Sequence, residues 1–357
     1  MNNLGRSLHI DVAKGISIIL VALSHSNFIY FAPKFSAAMA LFRMPLFFFL
    51  SGIFFTTAVS FRPFLMKKAD TLLKPYAITM LLVLLVLFMA DSGAMLYKIK
   101  VILYGNGQIT KWEPLWFLTH LFALHVLMYL VFRFTRISAW PSYLKVVLVV
   151  ALLAAGSLLI DVFWNKSISI MGRAVEFPGL PFSLDLVLIS SAFFSMGFFL
   201  KDRVVEFKPV LPALVFALLV LVGVAYFTQA ELVLFKRILN EPVLALLGAF
   251  SGIYIVLCVS WLLLKTDRVS RVLILYGQKS LFILIFHMFI GRSLFEAMMR
   301  YWGDQYELYY ALLSFVVSII VPLYIARVVA LNKLLTFLYL PFTRIKPPVL
   351  VMRDKGA

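Results

Sequence analysis

Apolar residues occur in this chain as long unbroken runs, without the alternation typical of strands at the surface of a soluble protein. A helix needs about 20 apolar residues to cross about 30 Å of hydrocarbon. Runs of roughly this length fall at 9–31, 36–58, 73–90, 115–134, 142–164, 183–200, 209–228, 241–264, 272–292 and 307–329. The pattern predicts an all-α polytopic membrane protein with about ten transmembrane helices. We expect one transmembrane domain over residues 1–330, and an interfacial helix with a tail over 331–357.

The composition agrees with lipid as the main solvent of the chain. Of its 357 residues, 63% are hydrophobic and 14% are charged, whereas soluble domains have about 45–50% apolar and about 25% charged residues. The mean hydropathy is +1.00. Cys258 is the only cysteine, which excludes an intramolecular disulfide and a cysteine metal cluster. We predict no metal site.

The net charge of +17 would suggest a nucleic-acid partner in a soluble protein. Its distribution gives a different explanation. If the amino terminus is cytoplasmic and the spans alternate, 21 of the 33 Lys and Arg lie on the cytoplasmic side, 10 lie outside and 2 lie within spans. Lys and Arg accumulate in cytoplasmic loops. We therefore predict that both termini are cytoplasmic and that no nucleic acid is bound.

The first span carries ionisable residues that are costly in lipid and are therefore candidates for function. Lys14 and His25 are eleven residues apart, so an α-helix would place them on one face and about 16 Å apart along its axis. Asp11 precedes Lys14 by three residues and is positioned to pair with it. The alternative is that Lys14 reaches the inner surface and that His25 is an interfacial histidine.

Three later spans carry polar residues at a depth similar to that of His25. Arg43 lies about two turns into the second span, and His120 and His287 are placed in the outer parts of the fourth and ninth spans. We expect these four residues to surround a polar cavity that opens outward. A structural role for Arg43, paired with a carboxylate, is the alternative.

Residues at both membrane surfaces extend this set. Glu113 stands at the outer end of the fourth span, where it would orient His25 or be a plain loop charge. Trp112 and Trp116 are expected to anchor the interface. At the inner surface, Lys67, Lys68 and Lys74 are positioned to bind phosphates, although positive-inside charge alone would also explain them.

Five segments together resemble the membrane-integral acyltransferase family 3, the O-acyltransferases of bacterial surface sugars. The first is the Lys14–His25 pair within DVAKGISIILVALSHS. The others are FRMPLFFFLSG at 42–52, the basic stretch from Lys67 to Tyr76, PLWFL at 114–118 and GQKSLFILIFHM at 277–288. The family often has arginine where this chain has Lys14, and lysine lacks the bidentate guanidinium.

The resemblance implies an O-acyltransferase, with O-acetyl transfer as the first expectation, in the bacterial cytoplasmic (inner) membrane. It would move an acyl group from cytoplasmic acetyl-CoA, or another acyl-CoA, to a hydroxyl of a surface glycan or exopolysaccharide. The acceptor would be a glycan or a lipid-linked oligosaccharide, with membrane lipid and polysaccharide-assembly proteins as further partners. The acyl group and the acceptor stay open.

The expected roles follow from depth. His25 would act as general base or carry the acyl group, and Arg43 would stabilise the oxyanion. Glu113 or His287 would orient His25 or bind the sugar, with His120, Trp112 and Trp116 as further substrate contacts. Lys14 with its partner Asp11, together with Lys67, Lys68 and Lys74, would bind the CoA phosphates.

A secondary transporter or flippase of a glycan or lipid-linked sugar is the alternative function. Ten spans with buried charge suit such a protein equally well. However, the sequence has no internal repeat and no matching pair of Gly/Pro-broken spans. A scaffold for polysaccharide assembly would not need the Lys14–His25 pair.

Overall fold

The computed structural model describes residues 8–90, 95–107, 112–170 and 173–342. The α-helices of the first half are α1 (Leu8–Ser24), α2 (Pro33–Ile53), α3 (Phe61–Lys68), α4 (Lys74–Ala90), α5 (Met95–Tyr104), α6 (Trp116–Thr135) and α7 (Ser142–Leu159). Those of the second half are α8 (Val187–Phe199), α9 (Lys201–Val205), α10 (Leu211–Phe227), α11 (Pro242–Leu263), α12 (Asp267–Gln278), α13 (Ser280–Trp302), α14 (Glu307–Leu331) and α15 (Lys333–Tyr339).

The prediction of an all-α polytopic membrane protein is confirmed. Each of the ten predicted spans overlaps a helix. Within the described residues, eight helical segments are long and apolar enough to cross a membrane. They are Pro33–Ile53, Phe61–Met89, Glu113–Thr135, Ser142–Leu159, Pro181–Phe199, Pro242–Leu263, Ser280–Trp302 and Glu307–Leu331. The helices of the other two predicted spans, α1 and α10, have 17 residues each.

The predicted first span was too long at its carboxyl end. Helix α1 ends at Ser24, and His25 lies in a turn that leads into a 3₁₀-helix over Asn27–Phe31. The hydroxyls of Ser24 and Ser26 donate to the carbonyls of Val21 and Leu23, at 2.7 Å each. Such local side-chain bonds compete with helical backbone bonds. His25 therefore follows the helix rather than lying within it.

The predicted ninth span was wrong in its boundaries. Residues 272–278 belong to α12, a separate helix, and the long helix α13 begins only at Ser280. Helix α12 has 12 residues and carries Asp267, Arg268 and Arg271, so it is too short and too charged to cross the membrane. His287 is consequently the eighth residue of a 23-residue helix and does not lie in its last third.

Helix α1 lies at the centre of the packing, in contact with α2, α11, α12 and α13. Its closest approach is to α12. A Cβ on Gly15 would lie 2.0 Å from the carbonyl oxygen of Leu273, and a Cβ on Gly277 would lie 2.6 Å from that of Asp11. Two glycines, one on each helix, thus let the backbones touch next to Lys14.

Helix α2, which carries Arg43, packs against α8 and α11. The chain before α4 is also regular: a π-helix over Ala69–Leu73 connects α3 to α4. At the other end of the chain, the predicted interfacial segment forms α15. The buried Tyr339 of α15 lies 3.3 Å, hydroxyl to hydroxyl, from Thr79 of α4.

Two short antiparallel hairpins interrupt the helices, and the sequence did not predict them. Strand β1 (Trp164–Ile170) pairs with β2 (Arg173–Pro178), and β3 (Glu231–Val233) pairs with β4 (Ile238–Asn240). A buried ion pair ties these regions to the start of α8. Arg237 Nε donates to Asp185 Oδ2 at 2.7 Å and Nη2 donates to Oδ1 at 3.2 Å, and both side chains are fully buried.

Candidate active site

His25 and His287 form the centre of the candidate site. Their ring centroids lie 5.3 Å apart with the planes inclined by 53°. His25 comes from the turn after α1, and His287 from the first third of α13. The sequence predicted that both would reach one polar region, and the structure brings them into contact.

The hydrogen bonds of His287 show which of its ring nitrogens is protonated. Nδ1 lies 2.7 Å from the carbonyl oxygen of Ile283 and 3.1 Å from that of Leu284. Because a carbonyl oxygen only accepts, Nδ1 carries the proton, and Nε2 of the neutral ring carries the lone pair. Nε2 is buried and has no hydrogen-bond partner among the described residues. A buried ring nitrogen without a hydrogen-bond partner lowers the stability of the folded protein, which argues against a purely structural role for His287.

Two arginines lie near this pair, and the carboxylate of Glu296 lines the same cavity as His25 and Arg292. Arg43 of α2 and Arg292 of α13 both act on His25 electrostatically. Arg43 is half-buried, and no ion pair to a carboxylate is seen for it in the described part of the chain. A guanidinium near a histidine can bind an anion or a developing oxyanion.

A cavity of about 290 Å³ adjoins His25 on the side away from Lys14. We call it the histidine chamber; Ser24, His25, Asn27, Tyr30, Arg292 and Glu296 are among its lining residues. Tyr30 at its rim is 75% exposed, so the chamber reaches the surface of the protein. Its hydroxyl, amide, guanidinium and carboxylate groups suit a polyhydroxylated ligand.

A second cavity, of about 270 Å³, adjoins Lys14. We call it the lysine chamber; its lining includes Lys14, Ser17, Phe54, Lys68, Thr71 and His125. Lys14 Nζ lies 3.7 Å from Asp11 Oδ1, as the spacing predicted, and 3.5 Å from the centre of the Phe54 ring. The hydroxyl of Ser17 is buried without a hydrogen-bond partner among the described residues.

The three lysines predicted for phosphate binding differ in their surroundings. Lys68 lines the lysine chamber beside Lys14, whereas Lys67 is exposed on α3. Lys74 forms an ion pair with Asp70 at 2.5 Å and donates to the carbonyl of Leu340 at 2.6 Å. Its ammonium group is therefore already engaged by protein atoms. Roles for Lys67 and Lys74 in binding phosphate stay predictions.

The predicted sugar contacts separate into two groups. Trp112 donates its indole N–H to the carbonyl of Ile285 at 2.8 Å and stacks on Phe289, with centroids 4.8 Å apart. Trp116 is buried and lines a small cavity together with His25. Trp112 therefore packs on α13, and Trp116 is close to the site.

His120 and Glu113 do not line the histidine chamber. His120 Nε2 lies 2.9 Å from Ser190 Oγ, and Nδ1 lies 3.2 Å from the carbonyl of Phe182. Both ring nitrogens are thus engaged in hydrogen bonds. The Trp116 ring packs against the imidazole, with ring centroids 5.6 Å apart. Glu113 opens a 3₁₀-helix before α6 and is half-buried. Their roles in substrate binding and catalysis stay predictions.

The cavities follow one another in space. The lysine chamber shares Phe47, Thr71, Leu72, Leu121 and Ser280 with an apolar chamber of about 290 Å³. That apolar chamber shares Phe47, Phe117 and Leu284 with a narrow cavity of about 20 Å³ that His25 lines. His25 in turn lines the histidine chamber. Adjacent cavities, each sharing lining residues with the next, therefore lie between Lys14 and His25.

Sequence reasoning missed Arg292 and Glu296. The predicted ninth span ended at residue 292, so both were counted as charges at or beyond the outer surface. The signal was present in the sequence: apolar residues continue to Met299 around these two charges, and Gly277 with Gln278 and Lys279 marks a break before α13. Ser17 was missed because a serine in a span is usually bonded to its own helix.

A family model for acyltransferase family 3, described as an acyltransferase domain, matches residues 8–327. The match covers all the residues that line the histidine and lysine chambers. No curated protein and no solved structure matches the chain.

Proposed function

The chain belongs to acyltransferase family 3 and is a multi-pass membrane acyltransferase, and on that premise we propose that it moves an acyl group from acyl-CoA to a glycan hydroxyl. One observation carries the proposal: a row of adjacent cavities lies between Lys14 of α1 and the histidine pair that follows the end of α1. The acceptor is a surface or exopolysaccharide glycan, and the membrane is the bacterial cytoplasmic membrane.

The lysine chamber is the proposed donor site. Lys14 and Lys68 supply positive charge for the phosphates of acyl-CoA. The positive-inside bias supports a cytoplasmic position for this end of α1. Eleven residues of chain separate Lys14 from His25, which is about 16 Å along a helix. A pantetheine arm is of similar length, roughly 15–20 Å at the scale of an extended chain. The thioester would therefore reach His25 while the nucleotide stays at Lys14.

The histidine pair is the proposed reaction centre. His25 takes the proton of the acceptor hydroxyl, whose oxygen attacks the thioester carbonyl carbon. The C–S bond breaks as the ester forms, and the protonated histidine returns its proton to the CoA thiolate. Alternatively, a nitrogen of His25 attacks the thioester carbonyl carbon and CoA leaves as the thiolate. The acceptor oxygen then displaces His25 from the acyl carbon, and the hydroxyl proton is passed to the thiolate. Arg43 stabilises the oxyanion in both routes, and His287 positions His25 and shares its proton.

The histidine chamber is the proposed acceptor site. It reaches the surface at Tyr30 and presents hydroxyl, amide and charged groups beside His25. A sugar hydroxyl bound there would be within reach of a thioester arriving from the opposite side. Acetyl is the simplest acyl group for such a reaction.

Transfer of a labelled acyl group tests this function. Membrane vesicles that contain the protein are supplied with acetyl-CoA labelled in the acetyl carbon, together with a lipid-linked glycan acceptor. We expect label on the glycan as a base-labile ester, dependent on the protein. Vesicles from cells without this chain are the control. Uptake of intact glycan without any consumption of thioester would contradict the proposal and favour a transporter.

A further inference from the structure

The route between the two chambers narrows at three apolar side chains. Phe47, Phe117 and Leu284 are the residues shared by the apolar chamber and the narrow cavity next to His25. The volume falls there from about 290 Å³ to about 20 Å³. We call these three residues the partition.

The partition is closed by direct packing. The rings of Phe47 and Phe117 meet edge to face, with centroids 4.6 Å apart. Phe117 and Leu284 are only 3% and 5% exposed. Phe47 lines the lysine chamber, the apolar chamber and the narrow cavity, so its ring stands at the junction of all three.

Each side chain of the partition is attached close to the reaction centre. Phe47 follows Arg43 by four residues on α2, and Leu284 precedes His287 by three residues on α13. Residues at these spacings share a helix face. Phe117 directly follows Trp116, which lines the narrow cavity together with His25. A change in the size of a partition side chain would therefore alter the packing around the histidine pair.

An apolar constriction of this size has two physical effects. It excludes water and ions, as hydrophobic constrictions in channels do. It also lets a ligand pass only if the aromatic rings rotate aside, and a larger ligand requires a larger displacement in a densely packed interior.

We propose that Phe47, Phe117 and Leu284 form a gate between donor and acceptor sites, and that the narrow cavity behind this gate, which His25 lines, holds a small acyl group and excludes longer ones. This inference rests on the proposed acyl transfer for its substrate, but the constriction itself is present in the structure. It seals the membrane until the pantetheine arm enters. The volume of this narrow cavity, which the gate residues line, sets the acyl length that is transferred.

Accessibility tests the gate without reference to acyl transfer. Cys258, the only native cysteine, is removed in a Cys258→Ser background, and Asn27→Cys is added in the histidine chamber. A Thr71→Cys variant first identifies the membrane face that gives access to the lysine chamber. A charged, membrane-impermeant methanethiosulfonate is then applied to that face of sealed vesicles. We expect Asn27→Cys to be protected, and Phe117→Ala to accelerate its labelling severalfold.

Acyl length tests the selectivity. Thiol release is measured with acetyl-CoA and hexanoyl-CoA for the wild type, Phe117→Ala, and the milder Phe47→Leu and Phe117→Leu. We expect the hexanoyl to acetyl ratio of kcat/KM to rise by about tenfold or more in Phe117→Ala, the scale on which apolar pockets discriminate methylene groups. Phe132→Ala is the matched control, because Phe132 lies on the same helix, is also 3% exposed and packs against Phe55 and Phe198.

The outcomes separate the gate from the proposed function. Faster labelling in Phe117→Ala, in protein that consumes no acyl-CoA, would support the gate and contradict the acyl transfer. Active transfer with unchanged labelling and an unchanged acyl ratio, in both the alanine and the leucine variants, would overturn the gate alone. An equal change in labelling rate and acyl ratio in Phe132→Ala would also overturn the gate, because both effects would then come from a general loosening of the core.

Discussion

The imidazole rings of His25 and His287 lie 5.3 Å apart, one from the turn after α1 and the other from α13. His287 uses Nδ1 for a bond to its own helix, and its Nε2 is buried with no hydrogen-bond partner among the described residues. The proposed reaction uses that nitrogen to position His25 and to share its proton.

Replacement of His287 should therefore impair catalysis more than folding. His287→Phe keeps a ring of similar size and removes both nitrogens. We expect kcat for CoA thiol release to fall by about 100-fold, the scale of general acid–base assistance, with little change in KM for acyl-CoA. Steady-state kinetics on purified protein is the measurement. Full activity of His287→Phe would mean that the ring serves only packing.

Lys14 should affect donor binding rather than chemistry. Lys14→Ala removes a positive charge from the lysine chamber, and we expect KM for acyl-CoA to rise by roughly tenfold, the scale of one charge-assisted hydrogen bond, at nearly constant kcat. Lys14→Arg should retain binding because the charge is kept. The exposed Lys34, on α2, gives the matched control Lys34→Ala. A fall in kcat without a change in KM would place Lys14 in the chemistry instead.

The Asp185–Arg237 pair should be essential for stability. Asp185→Ala leaves a buried guanidinium without its carboxylate, which costs about 3–5 kcal/mol. We expect a lowered Tm in detergent for Asp185→Ala and for Arg237→Ala. The double replacement Asp185→Leu with Arg237→Met should recover much of the loss, since no unpaired charge remains buried. Single variants as stable as the wild type would be incompatible with a buried pair.

The contact between α1 and α12 should not accept a side chain. Gly277→Ala would place a Cβ 2.6 Å from the carbonyl oxygen of Asp11. Backbone would have to shift, at a cost of about 1–3 kcal/mol, and Lys14 would move with it. Gly223→Ala is the matched control because no atom lies within 4 Å of its added Cβ. Equal Tm values for the two variants would show that the helices separate easily.

The sequence predicted the helices, because apolar runs locate the spans and charged residues limit them. It could not predict where α13 begins. Residues 272–278 are apolar enough to extend a run, and their assignment to α12 depends on the close packing of Gly277 against α1. The same error hid Arg292 and Glu296, which lie within α13.

The depth of a residue in the membrane also does not determine on which side of its helix the side chain lies. His120 was predicted to join His25 from its depth alone. In the structure its nitrogens bond to Ser190 and Phe182, and Trp116 packs against its ring. The two bonding partners lie 70 and 62 residues away in the chain, so only the tertiary packing reveals them. The contact between His25 and His287 is long-range in the same way.

CoA thiol release from purified protein, with acetyl-CoA and a lipid-linked glycan, shows whether acyl transfer depends on His25. His9→Ala is the matched control, since His9 lies at the other end of α1 and bonds to the carbonyl of Val204. We predict that His25→Ala lowers release by about 10²–10⁴-fold while its Tm stays near that of His9→Ala, which remains active. Full thiol release by a folded His25→Ala protein would mean that the histidine pair is not the reaction centre.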